Sequence, residues 1–288
     1  MTIRINYSIT FSILFLLLFT SGCAGQQSRA KSSIVDYLYP KESNFIVEPS
    51  IPTLHLPLKV GIAFVPGQQF QARGVNIWSG ATAHASLTEG GKVKLLEKVA
   101  KNFRQYDFVK DIEVIPSQYL TPEGSFANLE QIKTMYGIDI IALVSYDQTQ
   151  FTDEGFLSLS YWTLVGAYVI SGEKNDTSTM MDTAVYDIQS KKMLFRAPGT
   201  SQVKGSSTPI NLSEELRQDS IQSFNEASKN MIKNLDMQLQ RFREKVKQDP
   251  QTVKIIHREG YGGGGSISLS EITLMIFLLT CLYRRRRS

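Results

Sequence analysis

Three histidines, His55, His84 and His257, are the whole imidazole complement of this chain, and no two stand at metal-ligand spacing. A zinc centre needs several convergent nitrogen or sulfur donors, and a serine or cysteine nucleophile needs a histidine held beside it. His257 falls in a stretch that reads as linker, so either site would have to be assembled around His55 or His84 alone. No metal, cofactor or catalytic residue is assigned on that basis. Asp147, Asp153 and Glu154 gather acid just after a strongly apolar stretch. Strand ends in α/β sheets host sites, and carboxylates bind calcium, so this stretch is the one place for a hydrolase-like activity. It lacks the Asp-x-Asp-x-Asp-Gly spacing of a calcium loop and reads more simply as a solvated acidic loop. Lys92, Lys94, Lys98 and Lys101 form a cluster that a phosphate would favour, but Glu97 among them fits a solvated helix face. Trp78 and Trp162 are expected in core or interface roles.

The thiols are Cys23 and Cys281, both near the ends, so the middle has neither a disulfide framework nor a thiolate metal site. Cys23 has its own chemistry. A short polar segment with Arg4 precedes an apolar stretch, 11–19, and then Thr20, Ser21, Gly22 and Cys23. The apolar stretch is too short to span comfortably and is followed by small residues, the pattern of a signal peptide. A cysteine directly after Ser-Gly resembles a bacterial lipobox, although Thr20 replaces the usual leucine. The resemblance implies cleavage between Gly22 and Cys23 and a diacylglyceryl group on the Cys23 sulfur. Ala24 after it implies onward sorting to the outer membrane.

The other end has three parts. Gly262, Gly263, Gly264 and Gly265 with Ser266 form a flexible break, 267–283 is apolar, and Arg284, Arg285, Arg286 and Arg287 follow. The apolar run matches a spanning helix of ~17–25 residues, and the arginines form a cytoplasmic stop. The glycines are not a nucleotide loop, because no Lys-Ser/Thr pair follows them. The formal net charge is +4, from 31 basic and 27 acidic residues. The ends carry five of the bases (Arg4 and the four arginines) and one acid (Glu271), so 26 of each sign remain between them. A neutral body gives no electrostatic reason to seek nucleic acid.

The elements that would position any site read as an α/β fold: a mixed sheet with flanking helices, an antiparallel C-terminal hairpin and a long C-terminal helix. Residues 24–31 read as a polar tether, with Ser32 or Ser33 capping a short turn that Pro40 ends. Pro49, Pro52 and Pro57 make 41–57 an extended connector. A buried strand is expected at 58–65, and a helix after a Ser86/Glu89 capping box, with Val93, Leu96, Val99, Ala100 and Phe103 inward. A strand at 111–115, a helix at 128–136 with Leu129, Ile132 and Met135 inward, and a central strand at 138–145 complete a right-handed α/β unit. Residues 156–170 are apolar and long enough for a transmembrane strand, but their alternation is broken, so a buried strand is preferred. Residues 188–191 form a hairpin turn. A helix capped by Asn211 or Ser213 runs to Asp249, its end near 241–247 projecting from the body, and 251–261 is linker. The organisation is therefore signal peptide (1–22), tether and connector (23–57), one body domain (58–248), linker (249–261) and a C-terminal signal (262–288).

The tail resembles the GlyGly-CTERM sorting signal, whose bearers are substrates of rhombosortase, an intramembrane serine protease of the rhomboid family. Glycines resist helix formation by roughly 1 kcal/mol each, which suits a protease that cuts extended chain. Residues 33–40, 125–129, 135–147, 151–155, 172–176 and 195–200 are similar to the rhombotarget lipoproteins, a family that carries both signals. The resemblance implies a non-enzymatic, lipid-anchored envelope protein at the outer membrane or cell surface. Its partners would be the lipoprotein-processing enzymes, rhombosortase, membrane lipid through Cys23, and an envelope partner of unknown identity. An oligomeric export or pore component of the curli-secretion lipoprotein type, using 156–170, is the alternative, and an enzyme using the acidic loop is the third reading.

Overall fold

The computed structural model describes residues 25–41, 48, 50–68, 71–73, 87–154, 173–207 and 211–261. The lipobox and Cys23, the glycines, Ser266, the apolar run, the arginines, His84, Trp78, Trp162 and 156–170 lie outside them.

The described residues form a mixed α/β body around a seven-stranded sheet. Its axis is a 15-residue strand, Ile140–Glu154 (β6). In chain order, Gly25–Lys31 is β1, Thr53–Leu56 β2, Leu58–Phe64 β3, Gln71–Arg73 β4 and Val109–Val114 β5. Glu173–Asp187 is β7, Lys192–Ser207 β8 and Lys254–His257 β9. The helices are Ile34–Leu38 (α1), Glu89–Phe103 (α2), Ser125–Tyr136 (α3) and Leu212–Gln248 (α4).

Two strands share one edge of β6 end to end. β3 pairs parallel with its first half, from Val60 opposite Ile140 to Phe64 opposite Val144. β1 pairs antiparallel with its second half, from Lys31 opposite Asp147 to Gly25 opposite Asp153. Ser32 joins the two at the seam: its N–H donates to the Tyr146 carbonyl at 2.7 Å, and its Oγ accepts from the Tyr146 N–H at 3.1 Å. β7 runs antiparallel along the whole other edge of β6, and β8 pairs with β7. β5 lies beyond β3 and is parallel to it.

Each face of β6 has its own core. Ile140, Ala142, Val144 and Tyr146 meet α2 and α4. Ile141 and Leu143 meet α1 and α3. The crossovers through α2 and α3 run in opposite directions on opposite faces, which gives both the same hand.

Several expectations change. Residues 25–31 form a strand rather than a tether. Gln26, Ser28 and Ala30 are buried while Gln27, Arg29 and Lys31 are less so, a strand alternation written in polar and small residues. The helix cap at α2 is Thr88, whose Oγ1 accepts from the Gly91 N–H at 3.1 Å, not the Ser86/Glu89 box. Its inner face is Lys92, Leu95, Leu96, Val99, Ala100 and Phe103, so Lys92 replaces Val93. Helix α3 starts at Ser125, and Met135 is 61% exposed. A step of three residues falls short of a full helical turn, so the series Phe126, Leu129, Ile132 has rotated outward by Met135. Ser33 does cap α1, accepting from the Asp36 N–H, and the hairpin turn lies where expected, between β7 and β8.

Helix α4 is 37 residues long, about 55 Å at the usual rise. Its far end does not project. Phe242 packs on Phe195 with ring centroids 5.5 Å apart, and Arg243 lies over the Phe108 ring at 5.4 Å. The expected linker then forms β9, which pairs parallel with β2. Arg258 holds this small ladder to the body through Asp139 at 2.7 Å, and Asp139 Oδ2 also accepts from the Lys59 N–H at 2.8 Å.

The seat of α4 on β8 is Gly199. A Cβ there would stand 2.3 Å from the Ala227 carbonyl oxygen and 2.3 Å from the Met231 nitrogen. Both are helix backbone and cannot swing aside, so Gly199→Ala should lower unfolding stability in urea by about 3 kcal/mol. Asp219 sits on the same helix beside Gly205. It is 6% exposed, and its Oδ2 has no hydrogen-bond partner among the described residues. Burial, then the Glu215 charge, pushes its carboxyl above the ordinary range. A raised carboxyl pKa means the folded chain holds its proton more tightly than the unfolded one, so stability falls as pH rises through that window. Thermal melts of Asp219→Asn should show an advantage over the parent that is small at pH 3 and grows toward pH 7.

Candidate functional site

The second half of β6 and the N-terminal half of α4 meet through polar side chains. Gln150 Nε2 donates to the Leu216 carbonyl at 2.8 Å, and Gln148 Nε2 to Thr179 Oγ1 at 2.7 Å. Ser220 Oγ donates to Gln148 Oε1 at 2.6 Å. These groups satisfy one another, as buried polar atoms must, and they fix the helix in register.

The other half of the interface is apolar and is not filled. A cavity of about 450 Å³ lies between the start of β6, β3, α2 and the C-terminal half of α4. That falls within the roughly 300–1,000 Å³ of small-molecule sites. Ile62, Val99, Ile112, Ala142, Leu235 and Leu239 are among its walls, and all six are buried. Its mouth carries Tyr106, Phe108, Arg243, Lys247, His257 and Tyr261. Leu54 and Leu56 of β2 with Ile255 of β9 line it from the side, so the β2–β9 ladder covers one end. The aromatic rim is ordered: Tyr106 stacks on Phe108 with centroids 5.1 Å apart. The Tyr106 hydroxyl donates to Asp236. That hydrogen bond, with burial and the Asp236 charge, pushes the phenol above its usual range.

A second groove, of about 510 Å³, lies on the opposite face, lined by Ser33, Asp36, Asp147, Asp182, Tyr186 and Arg196 among others. Two ion pairs lie along it. Arg29 bonds Asp147 through both carboxylate oxygens, and Arg196 bonds Asp182 at 2.7 Å.

The sequence-derived candidates fall apart in this geometry. The acidic stretch is not a loop: Asp147, Asp153 and Glu154 are strand positions of β6. Asp147 and Asp153 are roughly 20 Å apart along it, whereas paired catalytic carboxylates sit about 5–9.5 Å apart. His55 lies in β2 opposite Ile256, and His257 is at the cavity mouth rather than in a linker. Among the described residues, no three His, Cys, Asp or Glu side chains are placed to hold a metal ion. The lysines do not converge on one ligand. Lys92 is buried against Glu89 at 2.7 Å, and Lys98 donates to Asn225 of α4 at 2.6 Å. Burial opposes the Glu89 charge, but hydrogen bonds from Lys92 and Ser117 outweigh it and hold that carboxyl below its usual range.

The cavity was not foreseen. Its walls use the same Leu, Ile, Val and Phe residues that build a closed core, and periodicity cannot say whether facing layers meet.

No family model matches the chain, and no curated protein matches it. Among solved structures, a single-substitution variant of PelC from Paraburkholderia phytofirmans, a dodecamer, is similar at 11% identity. The alignment covers 62% of this chain and 94% of that one, with a TM-score of 0.26.

Proposed function

We propose that this is an exported, lipid-anchored envelope protein whose body binds rather than catalyses. It is acylated at Cys23, held for a time by 267–283, and cut near Gly262, Gly263, Gly264 and Gly265 by a rhombosortase-type protease. Its place after processing is the outer membrane or the cell surface, in contact with lipid through Cys23 and with an envelope partner.

The observation that carries this reading is the placement of the two ends. Gly25, two residues after Cys23 in sequence, pairs with Asp153 near the end of β6. Tyr261 lies at the cavity mouth, beside the start of the same strand. The two are separated by about 43 Å along β6. With its ends so far apart, a chain held at both lies more along the membrane than upright on it. Cutting the tail frees one end of the sheet and leaves the body standing on the lipid at the other. Two membrane signals then serve one protein in sequence rather than in parallel.

One observation also favours the second reading, an oligomeric export or pore component. Glu154 and Glu173 are partners in the β6–β7 ladder, so the apolar stretch 156–170 leaves and re-enters the body at the end of the sheet that carries Gly25. A lipid on Cys23 and that stretch would meet one membrane together. The reading based on an acidic loop has no comparable support, since Asp147 is tied to Arg29 within a strand.

Intact-mass and terminal-peptide spectrometry of the protein from wild-type cells tests the proposal. The expected species begins at a diacylated Cys23 and ends near Gly262. A mature form that retains 284–288 while the protease is present would overturn it.

A further inference from the structure

We infer that the cavity beneath α4 is a binding site for a single acyl chain ending in a carboxylate, a long-chain fatty acid. The inference rests on the binding role proposed above and names its ligand class. The walls offer almost nothing to a polar ligand, while the mouth gathers a cation and aromatic rings, the arrangement that suits an amphiphile entering tail first.

The charge at the mouth is selective. Lys247 is already paired with Glu244 at 3.0 Å. Asp236, on α4 beside the rim residue Tyr106, is engaged by the Tyr106 hydroxyl. Arg243 makes no ion pair among the described residues; it lies over Phe108 and reaches Gln240 Oε1 only at 3.4 Å. A planar guanidinium held on an aromatic face at the rim of an apolar cavity is suited to a carboxylate, which it can take in bidentate fashion. Asp107, also at the rim, would repel an anion, but it leaves the guanidinium unneutralised.

Two occupants from the chain itself are excluded by size and reach. A helix made from 267–283 would fill roughly 2,000 Å³ by its ordinary dimensions, several times the cavity volume of about 450 Å³. The lipid on Cys23 starts at the opposite end of β6, about 43 Å away. One acyl chain covers half of a ~30 Å bilayer core, about 15 Å. The ligand therefore comes from outside the chain. The source is near: from Tyr261 at the mouth, five residues lead to the apolar run that begins at Ile267, a reach of at most about 20 Å. While the tail is inserted, the mouth stays within that reach of the membrane surface.

The test uses the protein purified from wild-type envelopes into phosphatidylcholine nanodiscs and photolabelled with a diazirine palmitate. Label should concentrate in peptides carrying Val99, Ile112, Ala142 and Leu235. Arg243→Gln should reduce labelling about tenfold, the loss of one charge-assisted contact, and Arg243→Lys should recover part of it. A diazirine hexadecanol should label the parent weakly and be indifferent to Arg243→Gln. Label spread without enrichment over the sequence, unchanged labelling in Arg243→Gln, or alcohol labelling equal to that of the acid would each overturn the inference. So would displacement of palmitate by an equal amount of phosphatidylglycerol, which would mean a two-chain ligand. Terminal masses read on the same sample keep the two proposals apart. Correct termini without cavity label reject the ligand alone, and cavity label on a chain with an intact tail rejects the processing alone.

Discussion

The close contact between Gly199 on β8 and the α4 backbone at Ala227 and Met231 sets the form of the body. Helix and strand approach there until no side chain fits between them. On the N-terminal side the helix is tied down by Gln148 and Gln150 and by its own Ser220. On the C-terminal side the twist of the sheet leaves contact with the helix to long side chains such as Phe242 on Phe195. Leu235, Leu239 and Phe242 then line a space instead of closing it. One contact thus produces a polar, registered half and an apolar, open half, and the functional reading follows from that division.

The halves also differ in what they face. The polar half ends at Gly25 and Asp153, next to the lipid expected on Cys23. The apolar half ends at the β2–β9 ladder. A two-stranded parallel ladder with Ile255 46% exposed is weak in isolation, because parallel pairs normally need cover on both faces. Here it is held by Arg258 on Asp139 and by the cavity walls beneath it. Strand β9 is followed, four residues on, by the glycines and the apolar run, so the cover of the cavity and the proposed anchor are close in sequence.

Much of the fold was legible in the sequence. The apolar run around Ile140 marked the central strand, Gly137 ends α3 with φ at +62°, and apolar residues at helical spacing marked α4. The failures share a cause. Residues 25–31 were read as tether because strand reading looks for buried apolar residues, and here the buried positions are Gln26 and Ser28, facing a polar interface. Residues 147–154 were read as loop because Asp147, Gln148 and Gln150 look solvated, yet Arg29 and α4 satisfy them. Residues 254–257 looked like linker because a four-residue strand has too little pattern to register. The cavity had no sequence signal at all, since it is defined by the distance between layers rather than by their composition. Histidine counting gave no hint of the Arg29–Asp147 ion pair that occupies the acidic stretch.

Beyond Gly199 the C-terminal half of α4, α2 and the sheet leave an apolar space between them. Xenon binds in apolar cavities. A crystal of the protein pressurised with xenon should show the gas bound among Val99, Ile112, Ala142 and Leu235, with the backbone unmoved. Side chains of α2 and α4 collapsed onto the sheet, with no xenon between them, would contradict the account.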